Sequence, residues 1–333
     1  MTTTEVLVDQ PVRPFYRPQQ KYIPVLATAS LLVLMFVIGS ARYENFGSGQ
    51  VVLDIFINQA FLLVVAVGMT FVILTGGIDL SVGAVVALST ILSASLLTEQ
   101  HWNPLLVIFL MLLIGSGLGA GMGAIIHFFE IQPFIVTLAG MFLARGLCYV
   151  ISVDSITIDN DFYTSFAQTR IPLGGDLHIS PSVVIALLVV VAAAYILHLT
   201  RFGRTVYAIG GNQQSAMLMG LAVGRTKVLV YAISGFCSAL GGILSTFYTL
   251  SGYSLNGVGL ELDAIAAVVI GGTLLIGGSG YVWGTVLGVL TLGMIQALIT
   301  FDGTLSSWWT RIFIGTLLFI FILLQRIISV RRS

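Results

Sequence analysis

Lysine is almost missing from this chain. Only Lys21 and Lys227 occur in 333 residues, and neither follows a glycine, so no Gly-Lys-Ser/Thr phosphate loop is present. If ATP drives the protein, another chain must hydrolyse it. Charge of either sign is scarce: charged residues make up 8% of the chain, against about 25% in an ordinary soluble domain. Net charge is zero, so no acidic partner such as nucleic acid is implied. The two cysteines, Cys148 and Cys237, both fall in apolar stretches and read as small core residues. They supply neither a disulfide framework nor zinc-ligand spacing. The histidines His101, His127, His178 and His198 never pair at helical spacing with another His or a Glu, which excludes a zincin site. They read instead as interfacial residues. No Gly-x-Ser-x-Gly nucleophile motif appears. Catalysis on a covalent substrate has no visible machinery, and no enzyme activity, metal or cofactor is expected of this chain.

Apolar sequence is what the chain has in abundance. Hydrophobic residues reach 57%, and mean hydropathy is +1.03. A bilayer crossing takes about 20 mostly apolar residues. Such runs recur at approximately 22–41, 55–75, 80–97, 104–126, 133–152, 180–199, 228–250, 262–279, 283–300 and 308–326. The expected fold is therefore an all-α, polytopic membrane protein of about ten transmembrane helices. The short alternating strands of an outer-membrane barrel are not seen. The first run, about Tyr22–Ser40, is long for a signal-peptide core and lacks a convincing cleavage site, so it reads as an uncleaved first span.

The charges orient the molecule. Loop 200–227 carries Arg201, Arg204, Arg225 and Lys227 and no acid. The N-terminal stretch carries Arg13, Arg17 and Lys21, and the C-terminal one Arg326, Arg331 and Arg332. Loop 153–179 carries Asp154, Asp159, Asp161 and Asp176 against Arg170 alone. The positive-inside rule then puts both termini and loop 200–227 in the cytoplasm. Ten spans satisfy all three constraints, because an even number of crossings precedes each. The expected division is a cytoplasmic tail over 1–21, a transmembrane domain over 22–326 and a cytoplasmic tail over 327–333.

Residues 76–83 read Gly-Gly-Ile-Asp-Leu-Ser-Val-Gly between two apolar runs. An acid in hydrocarbon costs roughly 2.5–3.5 kcal/mol even on the lenient insertion scale, so Asp79 needs a cavity, a pore or a helix end. Paired glycines let the backbone turn there. The stretch Ile78–Val86 echoes Leu262–Val269, each with one acid at an apolar boundary, and Arg145 in span five echoes Arg311 in span ten. The two halves run in opposite directions, which suggests an inverted repeat with a solute path at its interface. Asp79 and Asp263 suit helix N-termini. Arg145 suits snorkelling, or backbone carbonyls at a broken helix. Trp308-Trp309, just before Arg311, fits an aromatic belt or a sugar-stacking surface. The cluster Gly277-Gly278-Ser279-Gly280 resembles a phosphate cradle only superficially, because no strand precedes it. A tight turn or close helix packing is the simpler reading. In loop 200–227, Ser215–Leu221 suits a short apolar helix, and such a face with no bilayer to bury it fits a groove on a cytoplasmic partner.

These residues resemble the ribose/galactose-type sugar permeases of ABC importers over nearly the whole chain after residue 50. The resemblance is carried by Gly68–Ile73, the Gly76–Gly83 block, Pro133–Leu138 and Arg145-Gly146. It continues through Phe202-Gly203-Arg204 with Tyr207–Asn212, and Glu261–Ala266 through Ile270–Thr273. One departure is Met122-Gly123, where the family often has Asn-Gly. The stretch Phe301–Thr310, with Gly252-Tyr253 and Val258-Gly259, resembles the permease subunits of galactofuranose importers.

The resemblance implies a bacterial inner-membrane permease for a monosaccharide, galactofuranose. It also implies a cytoplasmic ABC ATPase that holds the ATP and Mg, a periplasmic sugar-binding protein, and a second permease subunit or second copy. Membrane lipid would surround the assembly. Asp79, Thr137, Arg145, Asp263 and Arg311 are then expected to line or shape the path. Gly211, Asn212, Ala216 and Gly220 are expected to form the ATPase coupling region. Three other readings make different predictions. An ion-coupled secondary transporter would use Asp79 and Asp263 as proton or sodium sites and would survive ATP depletion. A structural scaffold would tolerate Asp79→Asn. A permease for another sugar or for branched-chain amino acids would be told apart by competition.

Overall fold

The computed structural model describes residues 23–306 and 308–330. Arg13, Arg17, Lys21, Arg331 and Arg332, which carry the expected terminal charge bias, lie outside the described residues. The chain is an all-α, polytopic membrane protein, and among the described residues eight helices are long and apolar enough to cross a bilayer. They are α1 (Ile23–Arg42), α2 (Gly49–Leu74), α3 (Val82–Ala94, continued by a π-helical turn Ser95–Glu99), α4 (Pro104–Phe128), α5 (Pro133–Ile151), α7 (Pro181–Leu199), α10 (Val223–Thr249) and α12 (Val282–Asp302). The shorter helices are α6 (Asp161–Gln168), α8 (Arg201–Gly211), α9 (Gln213–Leu218) and α11 (Leu260–Ile270), and α13 (Trp308–Val330) ends the described chain.

α2, α3 and α10 form the centre. α2 and α3 are apolar nearly all round and buried nearly all round, as such helices must be, while α10 is buried along most of its length and keeps Leu229, Phe236 and Tyr248 exposed. α1, α4, α5 and α7 keep a broad apolar outer face for lipid. α4 packs on α10 through small residues. A Cβ on Gly119 would lie 2.1 Å from the Tyr231 carbonyl oxygen, and one on Gly115 2.5 Å from that of Gly235. Only glycine lets the two backbones come so close, which is how van der Waals contact replaces hydrophobic drive inside a membrane.

Two small ribbons mark one end of the bundle. β1 (Ile156–Thr157) pairs antiparallel with β4 (Ser251–Gly252), and β2 (Ile171–Gly174) with β3 (Leu177–Ile179). α6 sits at the same end, begun by the Asn160 side chain, which accepts from the Phe162 and Tyr163 amides. Its Phe166 ring stacks on Phe247 of α10 at 4.0 Å between centroids. α8 and α9 mark the opposite end.

The expected span over 262–279 is corrected. The helix there is α11 alone, 11 residues long, and about 16 Å at 1.5 Å per residue is too short to cross. The chain instead descends first as a non-helical segment after β4. A Cβ on Gly252 would meet the Thr90 carbonyl oxygen at 2.3 Å, and one on Gly83 would meet that of Gly257 at 2.3 Å. Residues 252–257 thus run antiparallel along α3, and α11 completes the descent. Thr28 near the start of α1 donates to the Ile270 carbonyl. Residues 271–281 lie at the α8–α9 end, where the Gly278 amide donates to the Leu74 carbonyl at 2.9 Å.

Candidate functional site

The broken crossing creates a problem of unmet backbone groups. Non-helical carbonyls at bilayer depth have no ladder and no bulk water, and each unmet group costs several kcal/mol. Two arginines supply the donors. Arg145 of α5 donates to the carbonyls of Ser254 and Asn256, the latter at 2.9 Å. Arg311 of α13 donates to the Val258 carbonyl at 3.3 Å. The Ser254 hydroxyl in turn donates to the Cys148 carbonyl at 3.1 Å, and Asn256 Nδ2 to Thr90 Oγ1 at 3.4 Å. Arg145 therefore binds carbonyls at a broken helix, one of the two roles its position suggested.

A cavity of about 640 Å³ opens beside this segment. Its polar wall is made by Asp54, Asn58 and Gln59 of α2, Tyr248 of α10, Asn256, Asp263 of α11, and Gln296 and Thr300 of α12. Gln59 Nε2 donates to Gln296 Oε1 at 3.0 Å, and the Tyr248 hydroxyl to Asn58 Oδ1 at 3.0 Å. A second space of about 410 Å³ shares Gln59, Asp263 and Gln296 and extends past Trp308 and Arg311. Asp263 lies within electrostatic reach of Arg311 and Glu261. The amides Asn58, Gln59 and Gln296 were missed by sequence reasoning. An uncharged amide in an apolar run leaves no mark on a charge map, though three of them in hydrocarbon was a usable signal.

Asp79 and Thr137 form a separate cluster. Asp79 is fully buried, and its Oδ1 accepts from the Ser81 amide at 2.9 Å and the Ser81 hydroxyl at 2.6 Å. Its Oδ2 accepts from Ser234 of α10 at 2.7 Å. The Thr137 hydroxyl, also fully buried, donates to the Pro133 carbonyl at 2.9 Å and reaches that of Ile78 at 3.3 Å. These two residues shape the turn between α2 and α3, and the large cavity is lined by neither. The turn itself is a Schellman motif. Gly76 at φ +78° donates to Ile73, and Gly77 donates to Val72. The same motif closes α11, with Gly272 at φ +93° donating to Val269 and Thr273 to Val268. Met122, the departure from the family pattern, is buried, with its sulfur 2.3 Å from where a Cβ on Gly140 would sit.

At the opposite end, α8 ties both breaks together. A Cβ on Gly210 would meet the Leu74 carbonyl oxygen at 1.9 Å and the Gly278 amide at 2.3 Å. The Tyr207 hydroxyl donates to the Gly280 carbonyl at 2.8 Å, and burial pushes its pKa up. Gly277-Gly278-Ser279-Gly280 is thus a turn packed on α8. Asn212 caps α9, its side chain accepting from Ser215 at 2.8 Å. Gly220 closes α9 at φ +76°, and nothing lies within 4 Å of a Cβ on Gly211 or Gly220. Ala216 faces inward onto Ile209 and Val223. The surface α9 offers is made by Met217, Leu218 and Met219, and Leu218 is 90% exposed.

Among the described residues, no group of three or more His, Cys, Asp or Glu side chains could hold a metal ion. What the site combines is a polar cavity, a discontinuous crossing and a surface helix pair joined to both breaks. Residues 51–322 match the family described as branched-chain amino acid transport system / permease component, and the chain belongs to that family of transporter permeases. Three relatives span most of the chain. The inner membrane ABC transporter permease protein YjfF of Escherichia coli K12 is 48% identical, covering 93% of this chain and 94% of that protein. The fructose import permease protein FruG of Bifidobacterium longum is 44% identical, covering 98% and 96%. The ribose import permease protein RbsC of Escherichia coli K12 is 38% identical, covering 85% and 87%. No solved structure matches the chain.

Proposed function

We propose that this chain is the permease subunit of an ABC importer for a monosaccharide, galactofuranose or a closely related furanose. The observation that carries the reading is the cavity lined by Asn58, Gln59, Asn256 and Gln296 beside a non-helical crossing. Discontinuous helices at the centre of a bundle are where transporters place their solute sites. The neutral amides exchange hydrogen bonds with a hydroxyl-rich solute at little desolvation cost, and the carboxylates Asp54 and Asp263 add acceptors for its hydroxyls. The volume falls in the usual range of about 300–1,000 Å³ for small-molecule sites. The names of the relatives support a sugar; the Phe301–Thr310 stretch supports a furanose.

In this reading the protein sits in a bacterial inner membrane with both termini and the α8–α9 end in the cytoplasm. α6 and the ribbons face a periplasmic sugar-binding protein, and their exposed acids, Asp154, Asp159, Asp161 and Asp176, steer its docking. A partner ATPase, holding ATP and Mg, docks on Met217–Met219. Its motion passes through Gly210 to the Gly76 and Gly278 turns, and so to α2, α3 and α11. A second permease, or a second copy, completes the assembly. Asp79, Thr137, Arg145 and Arg311 hold the shape of the path, and Asp263 lines it.

The test is uptake by the reconstituted importer, with competition by D-galactose, D-ribose and leucine. Sugar uptake that stops on ATP depletion supports the reading. Competition by leucine alone would move it to branched-chain amino acids, as the family description suggests. Uptake that survives ATP depletion but collapses with an uncoupler would replace it with ion coupling. Gly220→Trp tests the docking surface, because survival of both ATPase association and uptake would remove that assignment.

A further inference from the structure

Beside the large cavity lies a smaller one of about 290 Å³, at the α6 end, that shares Asp54, Phe61 and Tyr248 with it. We propose that this chamber is an entry subsite for one monosaccharide molecule, from which the solute passes into the large cavity when the Tyr248 ring swings aside. The proposal rests on the sugar reading above and names a second site for the same class of solute.

The walls have the chemistry a sugar ring requires. Phe166, half-buried and stacked on the buried Phe247, gives an apolar aromatic side against which ring C–H groups can lie. Opposite donor and acceptor types come from Arg170, His178 and Asp54. Ser180 is the most telling residue. It occupies the N-cap position of α7, where a serine hydroxyl ordinarily accepts from the helix's own amides. Here it makes no such bond. Its hydroxyl oxygen is buried without a partner among the described residues, and Ser180 is one of the residues of the chamber wall, so a rotation about its Cα–Cβ bond is what would bring the hydroxyl to a ligand. A buried hydroxyl left unmet carries a desolvation cost that a ligand hydroxyl would relieve.

The chamber is held open on one side and latched on another. Gln50 of α2 clasps β3 in both directions. Its Nε2 donates to the His178 carbonyl at 3.2 Å, and its Oε1 accepts from the His178 amide at 3.0 Å. The same Nε2 donates to Asp54 at 2.7 Å, which fixes the acid on the shared wall. The latch between the two spaces is the single hydrogen bond from Tyr248 to Asn58. Tyr248 is 58% exposed, so its ring has room to move. A sugar hydroxyl can replace either partner of that bond at little net cost, because one hydrogen bond is exchanged for another.

The test uses the complete importer in nanodiscs, with a neutral methanethiosulfonate reagent. The native thiols Cys148 and Cys237 are buried and give a low background. Thr169→Cys, at an exposed position on the chamber wall, is the reporter, and Ala167→Cys gives a second if the first fails to assemble. D-galactose, D-fructose and D-ribose are tried in turn for uptake by the unmodified importer, and the transported sugar is the probe. That sugar, at about ten times its Kd, should slow reporter labelling about tenfold, because labelling falls with site occupancy. Tyr248→Trp should keep the protection and lose uptake. Transport by the unmodified importer without protection of either reporter overturns the subsite and leaves the permease reading standing. Full uptake in Tyr248→Trp overturns the passage. Uptake of none of the three sugars counts against the sugar reading itself.

Discussion

Arg145 and Arg311 hold the same stretch of backbone from two different helices. Arg145 binds the Ser254 and Asn256 carbonyls, and Arg311 binds that of Val258. Together they replace the helical hydrogen bonds that residues 254–258 lack at bilayer depth. Arg145→Ala should therefore lower stability by about 1–3 kcal/mol, the usual cost of stranded buried acceptors. Arg145→Lys should recover only part, since an ammonium cannot reproduce the planar fork that reaches two carbonyls. Arg311 is exposed and its bond is longer, so Arg311→Ala should cost less. Thermal unfolding of the purified chain in detergent ranks the three. Both alanine variants should also lose uptake while keeping the ATPase bound, and loss of the ATPase would point to a wider folding fault.

Gly210 and Gly211 are neighbours with opposite demands. A Cβ on Gly210 would strike the backbone of Leu74 and Gly278, whereas one on Gly211 meets nothing within 4 Å. Backbone cannot rotate away as a flexible side chain can. Gly210→Ala should cost about 1–3 kcal/mol as an overpacked contact and uncouple ATP hydrolysis from uptake. Gly211→Ala should match the parent in both. Equal behaviour of the two variants would refute the tie between α8 and the helix breaks.

Asp79 joins the α2–α3 turn to α10 through Ser81 and Ser234. Asp79→Ala strands these buried donors, at about 1–3 kcal/mol for each group left unmet. Asp79→Asn keeps one acceptor oxygen and offers Ser234 a donor in place of an acceptor, so it should be the milder change. A structural role predicts that order in thermal unfolding, with uptake following stability. A proton or sodium site predicts the reverse: Asp79→Asn stable but without transport.

Tyr163 gives the α6 end a defined pH response. Burial against Phe247 pushes its hydroxyl from the ordinary 10.0 up to about 12. Because the folded value lies above the unfolded one, the stabilisation is complete below pH 10 and lost as pH rises through about 12. Alkaline titration should show phenolate absorbance and release of α6 appearing together in that window. Tyr163→Phe should remove that coupled step, and an unchanged transition in that variant would place its origin elsewhere.

Most of the bundle could be read from hydropathy. The helices α1 to α5, α7, α10 and α12 fall close to their expected ranges, because lipid selects for long apolar runs whatever their neighbours. The crossing expected over 262–279 was misplaced, since Ile270–Tyr281 is apolar enough to resemble a span while its paired glycines make turns. Asp79, Arg145, Asp263 and Arg311 stood out because charge in an apolar run is rare. Their partners were invisible: the carbonyls of residues 254–258 belong to every residue type, and Ser234 looks like any small residue of a packed helix.

Composition and local pattern were enough to dictate a membrane-spanning helical chain, its break at Gly76-Gly77, and a surface helix near Asn212. Those features depend on each residue's own solvent preference and backbone freedom, which neighbours in sequence settle. Packing alone decided that α11 shares its crossing with a non-helical strand of chain, that two arginines feed its carbonyls, and that Asn58, Gln59 and Gln296 face one cavity. Those facts depend on distances between residues far apart in sequence, and such distances exist only once the helices have chosen their neighbours.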